Sequence, residues 1–343
     1  MNDKWNNIRA ELDDRLLVLA HYYQNDEVFN LADETGDSYR LAKLSAESKA
    51  EYTIFCGVKF MAESAAVLSK KENKVFTPVQ EASCELADTM DYTSVKEIFD
   101  VMAEKMGHLP VPVVYVNSSA EIKALAGRHD GIACTSSNAG KIMKTLLDQG
   151  RQIFFMPDKN LGMNTALKLG ISPNDIAVIK DKDNIDYAIQ KKIILWDGFC
   201  YVHHLYTPED IRRVRENFPG CRIILHPESR PEVVTMADYA GSTSGLLNEF
   251  QSADPGTVLV VGTEWNFVER LKKMRPEIQV EHLRPSICAE MHRIKKQNLL
   301  SLAENLLNGD EQTGRITVPE EISGDAASAL NRMIRYTEGK EHL

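Results

Sequence analysis

The sequence reads as an α/β protein made of three similar units, each a small parallel sheet flanked by helices. Short runs that are apolar at nearly every residue alternate with segments of helical spacing, the pattern of strands buried on both faces and of the helices that cover them. Polar residues cluster just past the ends of several of these runs, which is where open α/β sheets bind ligands. A block pattern also recurs three times: a strand ending in a polar tripeptide, a strand ending in Ser, Thr or Gly, and a later strand leading to a cysteine.

The candidate strands are 16–21, 52–55, 74–76, 111–116, 132–134, 152–156, 193–196, 221–225, 239–241, 257–261 and 280–283. Helical patterns at 40–49, 61–70, 137–149 and 208–217 lie between them. The polar strand ends fall at His21, Tyr115 and His226. The cysteines that close the blocks are Cys84, Cys200 and Cys288, roughly a hundred residues apart, the size of one small unit each. This divides the chain into 1–95 with Cys84, 96–190, and 191–288 with Cys288, and puts Cys200 near the second junction. Segments 289–307 and 326–336 read as helices that pack back onto the core, joined by a polar connection at 308–321.

The 343 residues are 43% apolar and 26% charged, as in a globular protein, and carry a formal net charge of −10. That field repels phosphate backbones, so nucleic acid is an unfavourable partner. No stretch approaches the ~18 consecutive apolar residues of a membrane span. The first fourteen residues are charged and amphipathic and lack the apolar core of a signal peptide, so the chain is expected in the cytoplasm. There is no CxxC pair, and disulfides are not expected in a reducing compartment.

Cys84, Cys200 and Cys288 sit in loops beside small or turn-forming residues, whereas Cys56, Cys134 and Cys221 sit in or beside apolar strands and suit a core. Three thiolates, one per unit, suffice to hold a cubane cluster and leave its fourth iron open to substrate. Structural thiols and a zinc site are the competing readings, the latter lacking a tight ligand pair. Gly36-Asp37-Ser38, Thr135-Ser136-Ser137-Asn138 and Ser242-Thr243-Ser244 each open a helix. Their hydroxyls suit N-caps, and the same free N–H groups attract carboxylates and phosphates. His21, Tyr23, Tyr115, His203, His226 and Glu228 lie at strand ends or beside a candidate cysteine, where they suit acid–base work. GxGxxG, GxxxxGK[ST], HExxH and GxSxG are all missing, which removes the commonest dinucleotide, nucleotide, zinc-protease and hydrolase readings.

His21-Tyr22-Tyr23-Gln24, Phe55-Cys56-Gly57-Val58-Lys59-Phe60-Met61-Ala62-Glu63, Tyr115-Val116-Asn117, Cys134-Thr135-Ser136-Ser137-Asn138-Ala139, Asn160-Leu161-Gly162, His226-Pro227-Glu228 and Gly241-Ser242-Thr243 follow in this order. Together they resemble the quinolinate synthase family, from about residue 16 to about residue 300. The resemblance implies three α/β domains about a pseudo-threefold axis with the site at the centre. It implies one 4Fe–4S cluster per chain, held by Cys84, Cys200 and Cys288. The implied reaction condenses iminoaspartate with dihydroxyacetone phosphate, releases phosphate and two waters, and gives quinolinate for NAD biosynthesis. L-aspartate oxidase, the source of iminoaspartate, is the implied functional neighbour. His21, Ser38, Ser136, Ser242 and Thr243 match positions that hold carboxylate or phosphate groups. Tyr23, Tyr115, Asn117, His203, His226 and Glu228 match positions lining the reacting atoms, with Glu228 and Tyr23 expected to move protons and Tyr115 and Asn117 to orient the intermediate.

Three features depart from the family pattern. Ser229 stands where many members have Cys. Residues 163–193 form a stretch that many members shorten, read as a surface excursion with its own helix. Around Cys288 there are no additional cysteines for a redox switch. An iron–sulfur sensor and a sugar-phosphate transferase with structural cysteines are the alternative functional classes. The first would not need His226, Glu228, Tyr23 and Tyr115 to converge on the cluster.

Overall fold

The computed structural model describes residues 2–343, the side chains from residue 3 onward. Three wholly parallel sheets follow one another along the chain. The first holds β1 (Leu16–His21), β2 (Glu34–Gly36), β3 (Tyr52–Cys56) and β4 (Lys74–Phe76), in the spatial order β2-β1-β3-β4. The second holds β5 (Val111–Tyr115), β6 (Ile132–Cys134), β7 (Ile153–Met156), β8 (Ile176–Ile179) and β9 (Ile193–Trp196), ordered β6-β5-β7-β9-β8. The third holds β10 (Arg222–Leu225), β11 (Tyr239–Ala240), β12 (Val258–Gly262) and β13 (Gln279–His282), ordered β11-β10-β12-β13. All three share one plan: the first strand lies between the second and the third, and the last pairs with the far side of the third, with β8 added beyond it in the second sheet. The threefold block pattern of the sequence is therefore a repeat of topology.

The central strands are buried along nearly their whole length, because helices cover both faces of each sheet. Those helices start where side chains cap them. Asp37, Asp91, Ser119, Asp158, Ser242 and Glu264 each accept a backbone N–H from the first turn, and Thr207 with Asp210 forms a full capping box.

Three details differ from the sequence reading. Ile193–Trp196, placed by the sequence in the third unit, pairs with β7 and β8 and completes the second sheet. The stretch 163–193 carries more than a helix: β8 lies within it and adds a fifth strand at the sheet edge, outside β9. The expected helix at 289–307 is broken, because the chain is extended at Ile294, giving Ala289–Arg293 and Lys296–Leu307.

Helix Lys296–Leu307 packs with the N-terminal helix Asn2–Leu12 against one face of the first sheet. The polar connection after it covers the exposed side of β4, where Thr77 N–H donates to Gly314 and Ile316 N–H donates to Val75. The last helix, Glu320–Thr337, lies mainly on helix Ala120–Arg128 of the second unit and touches Lys59–Leu68 of the first. The two helices approach closely at Gly127, where a Cβ would lie 2.0 Å from the Asp325 carbonyl oxygen. Gly127→Ala is expected to cost about 1–3 kcal/mol by overpacking, outweighing the ~1 kcal/mol of helix propensity gained. A urea midpoint below that of the parent protein checks this.

Candidate active site at the junction of three units

The first strand of each sheet ends in a side chain that faces one common cavity. These are His21 at the end of β1, Tyr115 at the end of β5, and His226 just past β10. The cavity leaves about 80 Å³ of space that a water-sized molecule can occupy. Its walls also carry Tyr23, Ser38, Asn117, Ser136, His203, Glu228, Thr243 and the three loop cysteines.

The loops bearing the cysteines are hung in the same way in all three units. The N–H of the residue that opens the helix after each third strand donates to a carbonyl two residues before the cysteine. The bonds are Lys59 to Ala82 at 2.8 Å, Lys159 to Gly198 at 2.9 Å, and Trp265 to Ser286 at 2.7 Å. Cys84, Cys200 and Cys288 thus occupy equivalent positions, and all three are part-exposed, whereas Cys56, Cys134 and Cys221 are buried. Burial raises the Cys84 thiol to about 12 and the Cys288 thiol to about 11, and pushes Cys200 well above its ordinary value. Each of Cys84 and Cys288 adds repulsion to Cys200, as thiols converging on one point must. Three convergent soft donors facing a part-open cavity fit an iron–sulfur cluster with one open iron. Cys200, His203 and Glu228 also offer donor atoms within 4.8 Å of one another. That set leaves Cys84 and Cys288 without a role, and its imidazole and carboxylate are already bonded to each other.

The Glu228 carboxylate, almost fully buried, is the hub of a hydrogen-bond chain. Tyr115 Oη donates to Glu228 Oε1 at 2.5 Å, and His203 Nδ1 lies 2.7 Å from Oε2. His203 Nε2 is 3.1 Å from Thr263 Oγ1, which is 2.8 Å from Tyr23 Oη, and Thr243 Oγ1 donates to Tyr23 Oη at 3.1 Å. Burial by itself raises the Glu228 carboxyl. The fields of His226 and His203 when charged, and the hydrogen bonds from His203 and Tyr115, outweigh it and hold the group below the usual carboxylate range. An ionised Glu228 makes His203 Nδ1 a donor. When Nε2 carries no proton it accepts from Thr263, which then accepts from Tyr23, which accepts from Thr243. Burial pushes both tyrosine hydroxyls up, with Glu228 adding to the effect, so they stay protonated donors.

His21 and His226 are set by a shared turn. His21 Nδ1 accepts the Tyr23 N–H at 3.2 Å, and His226 Nδ1 accepts the Glu228 N–H at 3.4 Å. Burial lowers His21 to about 4 and His226 to about 3, so both rings are neutral near pH 7. With Nδ1 occupied as an acceptor, the proton sits on Nε2 of each ring. The His226 ring stacks on that of His203 at 4.3 Å.

Most of the residues singled out from the sequence line this cavity, with one exception. The Ser242 hydroxyl caps its own helix by accepting Gly245 N–H, and the residue lines a neighbouring cleft. Asn117 Oδ1 is buried and has no hydrogen-bond partner, an acceptor left for a ligand. Sequence reasoning missed Thr263, which joins Tyr23 to His203. The block pattern was the signal that could have found it, because Thr263 follows the third unit's third strand just as Gly57 and Pro157 follow theirs.

Three repeated α/β units that pool the buried Glu228 carboxylate, imidazoles, phenols and three thiols in a single cavity have the makings of an acid–base enzyme. The family model described as Quinolinate synthetase A protein matches residues 5–335. The chain is 43% identical over 330 residues to the quinolinate synthase of Geobacillus kaustophilus, covering 93% of this chain and 89% of the relative. It is 41% identical over 336 residues to that of Bacillus velezensis, covering 96% and 91%, and 40% identical over 337 residues to that of Bacillus subtilis, covering 96% and 91%. The chain belongs to the quinolinate synthase family. Among the described residues, no helix is long and apolar enough to cross a membrane.

Proposed function

We propose that this chain makes quinolinate for NAD biosynthesis by condensing iminoaspartate with dihydroxyacetone phosphate, with Cys84, Cys200 and Cys288 holding a 4Fe–4S cluster. The observation that carries this reading is the Thr243–Tyr23–Thr263–His203–Glu228–Tyr115 chain, which lies along the same cavity as the three thiols. When bound, such a cluster supplies a Lewis-acidic iron that polarises a substrate oxygen or nitrogen and makes hydroxide a better leaving group.

The side chains supply the rest. Neutral His21 and His226 present Nε2–H donors to anionic substrate groups without adding a charge that must be desolvated. Ser38, Ser136 and Thr243 add hydroxyls at helix starts, where the dipole and free N–H groups favour carboxylate and phosphate despite the acidic net charge. Asn117 Oδ1 accepts from a substrate hydroxyl or amine. Glu228 takes a proton from the carbon acid formed in the ketose–aldose step. Glu228 then returns that proton to a departing hydroxyl, while Tyr115, His203 and the Thr263–Tyr23 pair behind it hold the carboxyl in place. Iminoaspartate must come from oxidation of aspartate, so L-aspartate oxidase is the functional partner, and the setting is the cytoplasm.

The test is quinolinate formation by anaerobically purified protein given iminoaspartate and dihydroxyacetone phosphate. Quinolinate should appear together with about four irons per chain. An iron-free, colourless preparation of full activity would overturn the cluster assignment. An iron-loaded preparation that makes no quinolinate would favour a sensor.

A further inference from the structure

Beyond the cysteines themselves, two buried acids hold the loops that carry them. Asp158 and Glu264 occupy the same place in the second and third units: each directly precedes the helix that follows the third strand, and each is 0% exposed. Each divides its two oxygens between two tasks. Asp158 Oδ1 accepts Leu161 N–H at 2.8 Å and so caps its helix, while Oδ2 accepts the Cys200 N–H at 3.1 Å. Glu264 Oε2 accepts Asn266 N–H at 2.7 Å as the cap, while Oε1 accepts the Cys288 N–H at 3.4 Å. The first unit has no such acid. Val58 stands there without a side-chain cap, and Glu290 reaches across from the Cys288 loop to accept the Ser83 N–H at 3.2 Å, next to Cys84.

We infer that Asp158 and Glu264 are positioning residues for cluster binding, each fixing the backbone of one cysteine loop so that its thiolate meets the cluster. Helix capping alone needs one oxygen, and serine supplies one, as Ser119 and Ser242 do elsewhere in this chain. The second oxygen is what reaches the cysteine. This inference rests on the assignment of Cys84, Cys200 and Cys288 as cluster ligands.

The experiment exploits that division. Asp158→Ser keeps a cap but is too short to reach Cys200 N–H, whereas Asp158→Ala loses both bonds. Asp91→Ala removes the cap of helix Tyr92–Met106, away from the cavity, and serves as the stability control. Iron release to a chelator is followed anaerobically through loss of the cluster's visible absorption, with the melting temperature of each protein measured in parallel. Asp158→Ser and Asp158→Ala should both release iron about 10- to 100-fold faster than the parent, the range seen when outer partners of metal ligands are removed. Asp91→Ala should release it at the parent rate despite a lower melting temperature. The inference is overturned if Asp158→Ser releases iron at the parent rate, or if Asp91→Ala releases it as fast as Asp158→Ser. Should Asp158→Ser fail to fold, Glu264→Ser and Asp158→Asn carry the same expectation, because the asparagine amide turns an N–H towards the Cys200 N–H. A parent protein that binds no iron would sink the ligand assignment itself. A parent with about four irons and unaffected variants would sink only this inference.

Discussion

Glu228→Gln is expected to lower quinolinate formation about 10²- to 10⁴-fold, the span that a positioned acid–base group contributes. The substitution preserves shape, so the effect comes from charge and hydrogen-bond direction. Gln Oε1 can still accept from Tyr115, but its NH₂ group then faces His203 Nδ1, which donates in the native chain. The imidazole must change tautomer, and Nε2 must donate to Thr263 where it had accepted. Thr263 can then no longer accept from Nε2 and Tyr23 at once while keeping its own proton directed at the ring. On the proposed function, one amide thus removes the base and reverses the hydrogen bonds behind it. Glu228 is not among the cysteine ligands proposed for the cluster, so iron content should stay near that of the parent while turnover falls. A variant within tenfold of parental turnover would mean that Glu228 does not carry the proton.

Cys200→Ala is expected to abolish iron binding and activity together, and Cys84→Ala and Cys288→Ala should do the same. A cubane held by three thiolates loses a third of its protein ligands with each substitution. Cys56→Ala, Cys134→Ala and Cys221→Ala should keep iron and lose about 1 kcal/mol of stability each, as small buried hydrophobes do. Iron and sulfide analysis after anaerobic reconstitution, beside urea unfolding, separates the two groups. Iron lost in Cys221→Ala but retained in Cys200→Ala would reverse the assignment.

The strands legible in the sequence were those buried on both sides, because their residues are apolar without interruption. β7 and β9 are examples. β2 is polar, part-buried and three residues long at a sheet edge, so neither period nor composition marks it. β8 is apolar, but it lies in a stretch that reads as an excursion, and nothing local says that it will pair with β9. In the site, the titratable groups stood out by their place at strand ends. Thr263 did not, because a threonine after an apolar strand is ordinary until Tyr23 and His203 are brought to either side of it. Asp158 and Glu264 look like simple helix caps in sequence. Their second bonds, to Cys200 and Cys288, are tertiary and leave no local mark.

The hydrogen-bond chain around Glu228 is assembled from pieces of separate units. Tyr23 comes from the first unit, Tyr115 from the second, and Glu228, Thr243 and Thr263 from the third. Its contacts of 2.5–3.1 Å have little slack, and a shift of about 1 Å in any one unit stretches them past hydrogen-bonding range. On the proposed function, units parted that far would leave the acid–base groups unlinked, and bringing them together would link them. On the same reading the substrate carries an imine, which bulk water hydrolyses, and linking the groups only in a closed cavity would keep that bond from water.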